Sequence, residues 1–104
     1  MTAILTVVYP ASDSGRFDAR YYIDRHLPLV HEAWGDAGLV RAEGYLGVAG
    51  LGGAAAPYVA ITLLHFASAD AMQAALDGAG GATVLGDVAN FTTIEPVAQL
   101  SSAV

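Results

Sequence analysis

From Tyr21 to Trp34 the chain reads YYIDRHLPLVHEAW, a stretch that holds two of its three histidines and three of its nine aromatics. Imidazole is the side chain that gives and takes protons near neutral pH, so this segment is where acid/base chemistry would be sought first. On a helical wheel Ala19, Tyr22, His26, Leu29, Val30, Ala33 and Ala37 fall within an arc of about 100°. His26 lies at the centre of that apolar stripe, with Leu29 and Val30 beside it as expected pocket lining. His31 projects to nearly the opposite side, next to Asp24 and Arg20, and is expected in solvent. The two are five positions apart, about 140° around the axis, so they cannot chelate one metal as an i, i+4 pair does. His65 could approach His26 from a strand, but two histidines without a matched carboxylate make no metal site, and none is expected.

Pro28 removes the hydrogen bond to the Asp24 carbonyl and is expected to push Leu27 away from helical angles. A bend within one turn of His26 follows, with room for a pocket beside the imidazole. A buried histidine one turn from a tyrosine also fits a plain hydrogen-bonded core residue. Trp34, at the edge of the stripe, is expected at the pocket rim or at a subunit interface.

The elements that must position these groups follow from pattern. Ala3 to Tyr9 is a β-branched run ending at Pro10 and the turn ASDSG. Asp18 to Ala37 reads as a helix stopped by Gly38. Val40 to Val48 and Tyr58 to Phe66 read as strands joined by GLGGAAAP. Ser68 caps a helix through about Leu76. The glycine break GAGG comes next, then a short helical turn over Ala82 to Asp87 and a last strand from Asn90 to Leu100. The order βαββαβ is the ferredoxin-like split βαβ, an α+β fold with a four-stranded antiparallel sheet and both helices on one face. In Tyr58 to Phe66 both alternating sets are largely apolar, so the second face of the sheet needs a cover of its own.

Composition points the same way. Charged residues are 13% and apolar residues 55% of the 104, against about 25% charged in an average domain. So little charge implies an extensive apolar subunit interface, most simply a twofold dimer through the helix-free sheet face. A single domain, 1–104, is expected. Ten acidic residues against four scattered basic ones argue against a nucleic-acid partner. No cysteine is present, which removes thiolate and iron–sulfur chemistry. The start MTAILTVVYP is too short and too uncharged for a signal peptide or membrane span, so the default expectation is a cytoplasmic protein with no membrane partner. GLGGAA at 50 to 55 matches a dinucleotide fingerprint, but a strand follows it instead of a helix, so no pyrophosphate site is read there. The serines lack a nucleophile-elbow setting.

Taken together, YP at 9 to 10, FDARYY at 17 to 22, HLPLVHEAWGDAGL at 26 to 39, LLHFAS at 63 to 68 and DVANFT at 87 to 92 resemble the EthD family, named for ethyl tert-butyl ether degradation. The resemblance spans nearly the whole chain, with one departure, Ala89 in place of a proline. It implies a dimeric α/β barrel, two ferredoxin-like sheets meeting through their helix-free faces, with a cavity between each protomer's helices and sheet. It also implies that His26 is the family's histidine, Tyr22 its second tyrosine and Pro28 its proline, with Asp87, Asn90 and Phe91 from the C-terminal motif. Relatives in the superfamily include cofactor-independent oxygenases, lactone isomerases, polyketide cyclases, dehydratases and some haem proteins.

The expected activity is therefore that of a small enzyme acting on an apolar or phenolic molecule without a bound organic cofactor: an oxygenase or other oxidoreductase, an isomerase or a dehydratase. His26 would move the proton, Tyr22 would orient it or hold a substrate oxygen, and Asp87 or Asn90 would position polar substituents. Trp34, Leu29, Val30 and Phe91 would contact the apolar body. The alternative is a non-catalytic binding or accessory protein that holds a hydrophobic intermediate for a separate oxidase, with His26 and Tyr22 as lining. A haem protein with His26 as axial ligand is a third reading, which a colourless sample would dispose of.

Overall fold

The computed structural model describes residues 2–104. Strand β1 (Ala3–Pro10) is followed by helix α1. This helix runs from Ala19–Tyr21 through a π turn at Tyr22–His26 into Leu27–Trp34, and ends in a 3-10 turn at Gly35–Ala37. Strands β2 (Leu39–Leu46) and β3 (Tyr58–Phe66) come next, then helices α2 (Ala69–Asp77) and α3 (Ala79–Asp87), a 3-10 turn at Val88–Asn90, and strand β4 (Val97–Ser102). The strands form one four-stranded sheet in the order β2-β3-β1-β4. All pairings are antiparallel. This is the ferredoxin-like α+β fold that the element order predicts.

The local signals act as their chemistry requires. The Asp18 side chain accepts from the Tyr21 N–H and Ser68 from the Ala71 N–H, each meeting an orphan donor at a helix start. Gly38, at φ 97°, takes the left-handed turn that stops α1. Packed between helices and sheet is a core that includes Leu5, Val30, Trp34, Leu64, Phe66, Met72 and Val84.

Register sorts the sheet into two faces. Leu5, Val7, Tyr9, Ala60, Thr62, Leu64 and Phe66 face the helices, while Ile4, Val8, Ile61, Leu63, His65 and Val97 face away. The second face is thus also apolar over much of its width, as the two-sided pattern of β3 requires.

Three expectations need correction. Leu27 is not pushed out of helical angles, since it sits at φ −61° and ψ −42°. The missing Pro28 donor is absorbed one turn earlier, where the Leu27 N–H bonds the Tyr22 carbonyl in an i to i−5 step. GAGG does not break the helix over its whole length: Gly78 alone makes the junction, and α3 includes Gly80 and Gly81. The last strand begins at Val97, not Asn90, because 88–90 form a 3-10 turn and Phe17 and Thr92 make only an isolated bridge. The glycine-rich segment after β2 holds a short turn, Leu51–Gly53, with Gly52 and Gly53 at positive φ, and no helix opens onto it.

Candidate active site

The π turn decides which side chains meet. Within a regular α-helix Tyr21 and His26, five apart, would diverge by about 140°, but the wider turn brings both onto one carboxylate. His26 Nδ1 lies 2.9 Å from Asp87 Oδ2, and the Tyr21 hydroxyl donates to Asp87 Oδ1 at 2.7 Å. The Asn90 amide donates to Oδ1 from the 3-10 turn at 2.9 Å. Asp87, the last residue of α3, thus gathers donors from α1 and from the turn that follows it.

Electrostatics follow from this geometry. Burial alone would push the Asp87 carboxyl towards protonation, but the donors from Asn90, His26 and Tyr21 outweigh it and hold the group below the ordinary carboxylate range. The bond to Asp87 in turn pushes the Tyr21 hydroxyl up, so it stays a donor. Since Asp87 is ionised and only accepts, Nδ1 carries the proton in neutral His26, and Nε2 is left with its lone pair.

His26 is 3% exposed. Its Nε2 has no hydrogen-bond partner among the described residues, yet no sealed side-chain nitrogen or oxygen lacks a partner there. Nε2 therefore keeps open space beside it. That space is a cavity of about 350 Å³ between helices and sheet, lined by His26, Val30 and Trp34 of α1, Val84 and Leu85 of α3, and Leu5, Tyr9, Thr62 and Leu64 of the sheet. Leu100 and Pro96 flank its β4 side.

The remaining predicted site residues fall into two groups. Val30 and Trp34 line the cavity, and Trp34 is fully buried instead of standing at a rim, with Nε1 donating to the Ala75 carbonyl at 3.1 Å. The spacing Tyr22, His26, Val30, Trp34 stays aligned because the π turn rotates less per residue than the wheel assumes, and Leu29 is carried off the cavity wall. Of the two roles expected of Tyr22, the structure leaves room for the first: its hydroxyl is tied to Thr62 and its ring stacks on His26 with centroids 6.0 Å apart, so it backs the imidazole and does not line the cavity where it could hold a substrate oxygen. Phe91 likewise supports from behind, 4.6 Å from the His26 ring, and Asn90 reaches only Asp87. His31 is exposed, and His65 lies across the sheet on Glu43 at 2.7 Å. Among the described residues no cluster of His, Cys, Asp or Glu could hold a metal. Sequence reasoning missed Tyr21 as a partner of Asp87 and Tyr9 as cavity lining. The first needed the π turn, and the second needed only the alternation of β1.

A ferredoxin-like domain with an aspartate–histidine pair at a cavity between helices and sheet defines the class. Among solved structures the chain is similar to an EthD-like protein from Ralstonia eutropha, at 37% identity over 97% of this chain and 90% of that one, with a TM-score of 0.87. It therefore belongs to the EthD-like family. The fold is shared with a dimeric ferredoxin-like protein of unknown function from Jannaschia sp. (12% identity, 99% of this chain and 100% of that one, TM-score 0.69). It is shared as well with SnoaB, a cofactor-independent oxygenase from Streptomyces nogalater (11% identity, 98% of this chain and 91% of that one, TM-score 0.65). No family model matches the chain, and no curated protein does.

Proposed function

We propose that this protein binds a small apolar or phenolic molecule in the cavity and that His26 moves a proton on it without a bound organic cofactor. The observation that carries the reading is the divided imidazole: Nδ1 fixed on Asp87, Nε2 unpartnered beside a cavity of about 350 Å³. In the forward step Nε2 takes a proton from an acidic carbon or a phenolic oxygen of the guest, leaving the electron pair on the guest. The imidazolium that forms is stabilised by the Asp87 carboxylate. Returning the proton at another carbon isomerises the guest; returning it to a departing hydroxyl releases water. A phenolate formed this way is also electron-rich enough to meet dioxygen, in the manner of an oxygenase. Asp87 acts through His26 and is a positioning residue, with Tyr21 and Asn90 holding it. The dimeric state of the Jannaschia neighbour supports a homodimer here as well.

Screening phenols, quinones and lactones for thermal stabilisation finds the guest, since a ligand at 100 times its Kd raises stability by about 2.7 kcal/mol. With a converted guest in hand, His26→Gln is expected to lower turnover by about 10²-fold or more while the fold and guest binding persist. Full turnover in that variant overturns the proton-transfer role. Binding of a guest that is never converted favours the carrier reading instead.

A further inference from the structure

The reading of the cavity as a ligand site accounts for His26 but leaves one hydroxyl unexplained. Tyr9 lies at the end of β1, 1% exposed, and is among the cavity's lining residues. Its hydroxyl makes no hydrogen bond among the described residues. Buried tyrosines ordinarily satisfy the hydroxyl, because an unmet donor in an apolar wall is costly. As no sealed polar side-chain atom there lacks a partner, the little surface Tyr9 retains must include its oxygen. The neighbouring buried hydroxyls do not need Tyr9, since Tyr22 and Thr62 are bonded to each other.

Aromatic packing places the Tyr9 ring at the same end of the cavity as His26. The Tyr9 ring lies 6.2 Å from Tyr22 and 5.8 Å from Phe91, and the His26 ring lies 6.0 Å and 4.6 Å from those same two rings. From there the wall runs through Leu5, Leu64 and Val84 towards Leu85 and Leu100, without a charged group. One end of the cavity thus offers an acceptor, Nε2, and a donor, the Tyr9 hydroxyl, and the rest offers hydrocarbon.

We infer that Tyr9 is a specificity-determining residue: its hydroxyl donates to the oxygen of a phenolic or enolic guest whose own O–H faces His26 Nε2, with the apolar body extending towards Leu85 and Leu100. This inference rests on the cavity being a ligand site and adds the polarity of the guest and the residue that reads it. Burial, and then Tyr22 beside it, push the Tyr9 hydroxyl above the ordinary tyrosine range, so it stays a neutral donor.

The test uses the full chain and its Tyr9→Phe variant with β-naphthol and naphthalene as probes, followed by calorimetry and by the melting temperature. Phenylalanine has the same shape and removes a hydroxyl that no protein group uses, so the variant should melt no lower than the parent. The parent should bind β-naphthol more tightly than naphthalene. Tyr9→Phe should weaken β-naphthol about fivefold to tenfold and leave naphthalene within about twofold, as loss of one hydrogen bond requires. Undiminished preference for β-naphthol in the variant overturns the role of Tyr9 and leaves the cavity reading standing. Failure of both probes to bind the parent overturns the two together. A variant that melts well below the parent shows that the hydroxyl has a structural partner, and the inference falls.

Discussion

Asp87 is where three side chains converge, so its ionisation links the site to acid stability. Its folded-state pKa lies below the unfolded value, so the carboxylate's contribution is fully present above about pH 4 and is lost as pH falls through the folded value. Asp87→Asn keeps a carbonyl for His26 Nδ1 but no charge, and at neutral pH it should lower unfolding free energy by about 1–3 kcal/mol. The gap between parent and variant should close as pH drops from about 4 to below about 3. Urea titrations across that range measure it, and a gap independent of pH would show that the carboxylate is not the source. The parts of this site were unequally visible beforehand. His26 announced itself as a polar residue on an apolar stripe, and Asp87 came from the C-terminal motif. Tyr21 carried no signal, because on a wheel of 100° per residue it shares no face with His26.

At the scale of elements, β3 lies where alternation puts it, and the caps at Ser68 and Gly38 hold because each answers a backbone need that one residue type meets best. The π turn was not legible, since a hydrogen bond displaced from i−4 to i−5 changes no residue type; only Pro28 hinted at it. The glycines after α2 misled for a related reason. GAGG reads as a helix breaker, but a Cβ on Gly81 would stand 2.1 Å from the Leu76 carbonyl oxygen and 3.0 Å from that of Ala75, so glycine there lets α3 start tight against the end of α2. Near the other end of α3, a Cβ on Gly86 would meet nothing within 4 Å. Alanine at these two positions should therefore act with opposite signs. Gly86→Ala should stabilise by about 0.5–1 kcal/mol through helix propensity, while Gly81→Ala should destabilise by about 2 kcal/mol or more through backbone overlap. Thermal melts of the two variants decide this, and a stabilising Gly81→Ala would mean that the α2–α3 junction is loose.

For the whole molecule the open question is what covers the second face of the sheet. Ile4, Val8, Ile61 and Leu63 stand together there, flanked by Tyr45, half exposed at 50%, and Val97 at 57%. Polar residues at the β2 side of this face are paired with one another: Glu43 accepts from the His65 ring at 2.7 Å and from the Tyr45 hydroxyl at 2.9 Å, and it is held below the usual carboxylate range by those bonds, His65 first. A face that is apolar at its centre and internally satisfied at its β2 side can be desolvated without leaving a charge unmatched. Were a second copy to cover it, a twofold axis would set each apolar centre against its equal. Ile61→Glu places a charge at that centre, between Val8 across the β1 pairing and Tyr45 across the β2 pairing, and leaves the helix-side core and the cavity untouched. The parent should then sediment as a dimer at micromolar concentration and melt higher as concentration rises, and the variant should sediment as a monomer with a concentration-independent melt. Two species of equal mass would place the dimer contact elsewhere or remove it. Should the variant separate yet still bind its cavity guest, ligand recognition belongs to the protomer and the dimer serves to cover the sheet.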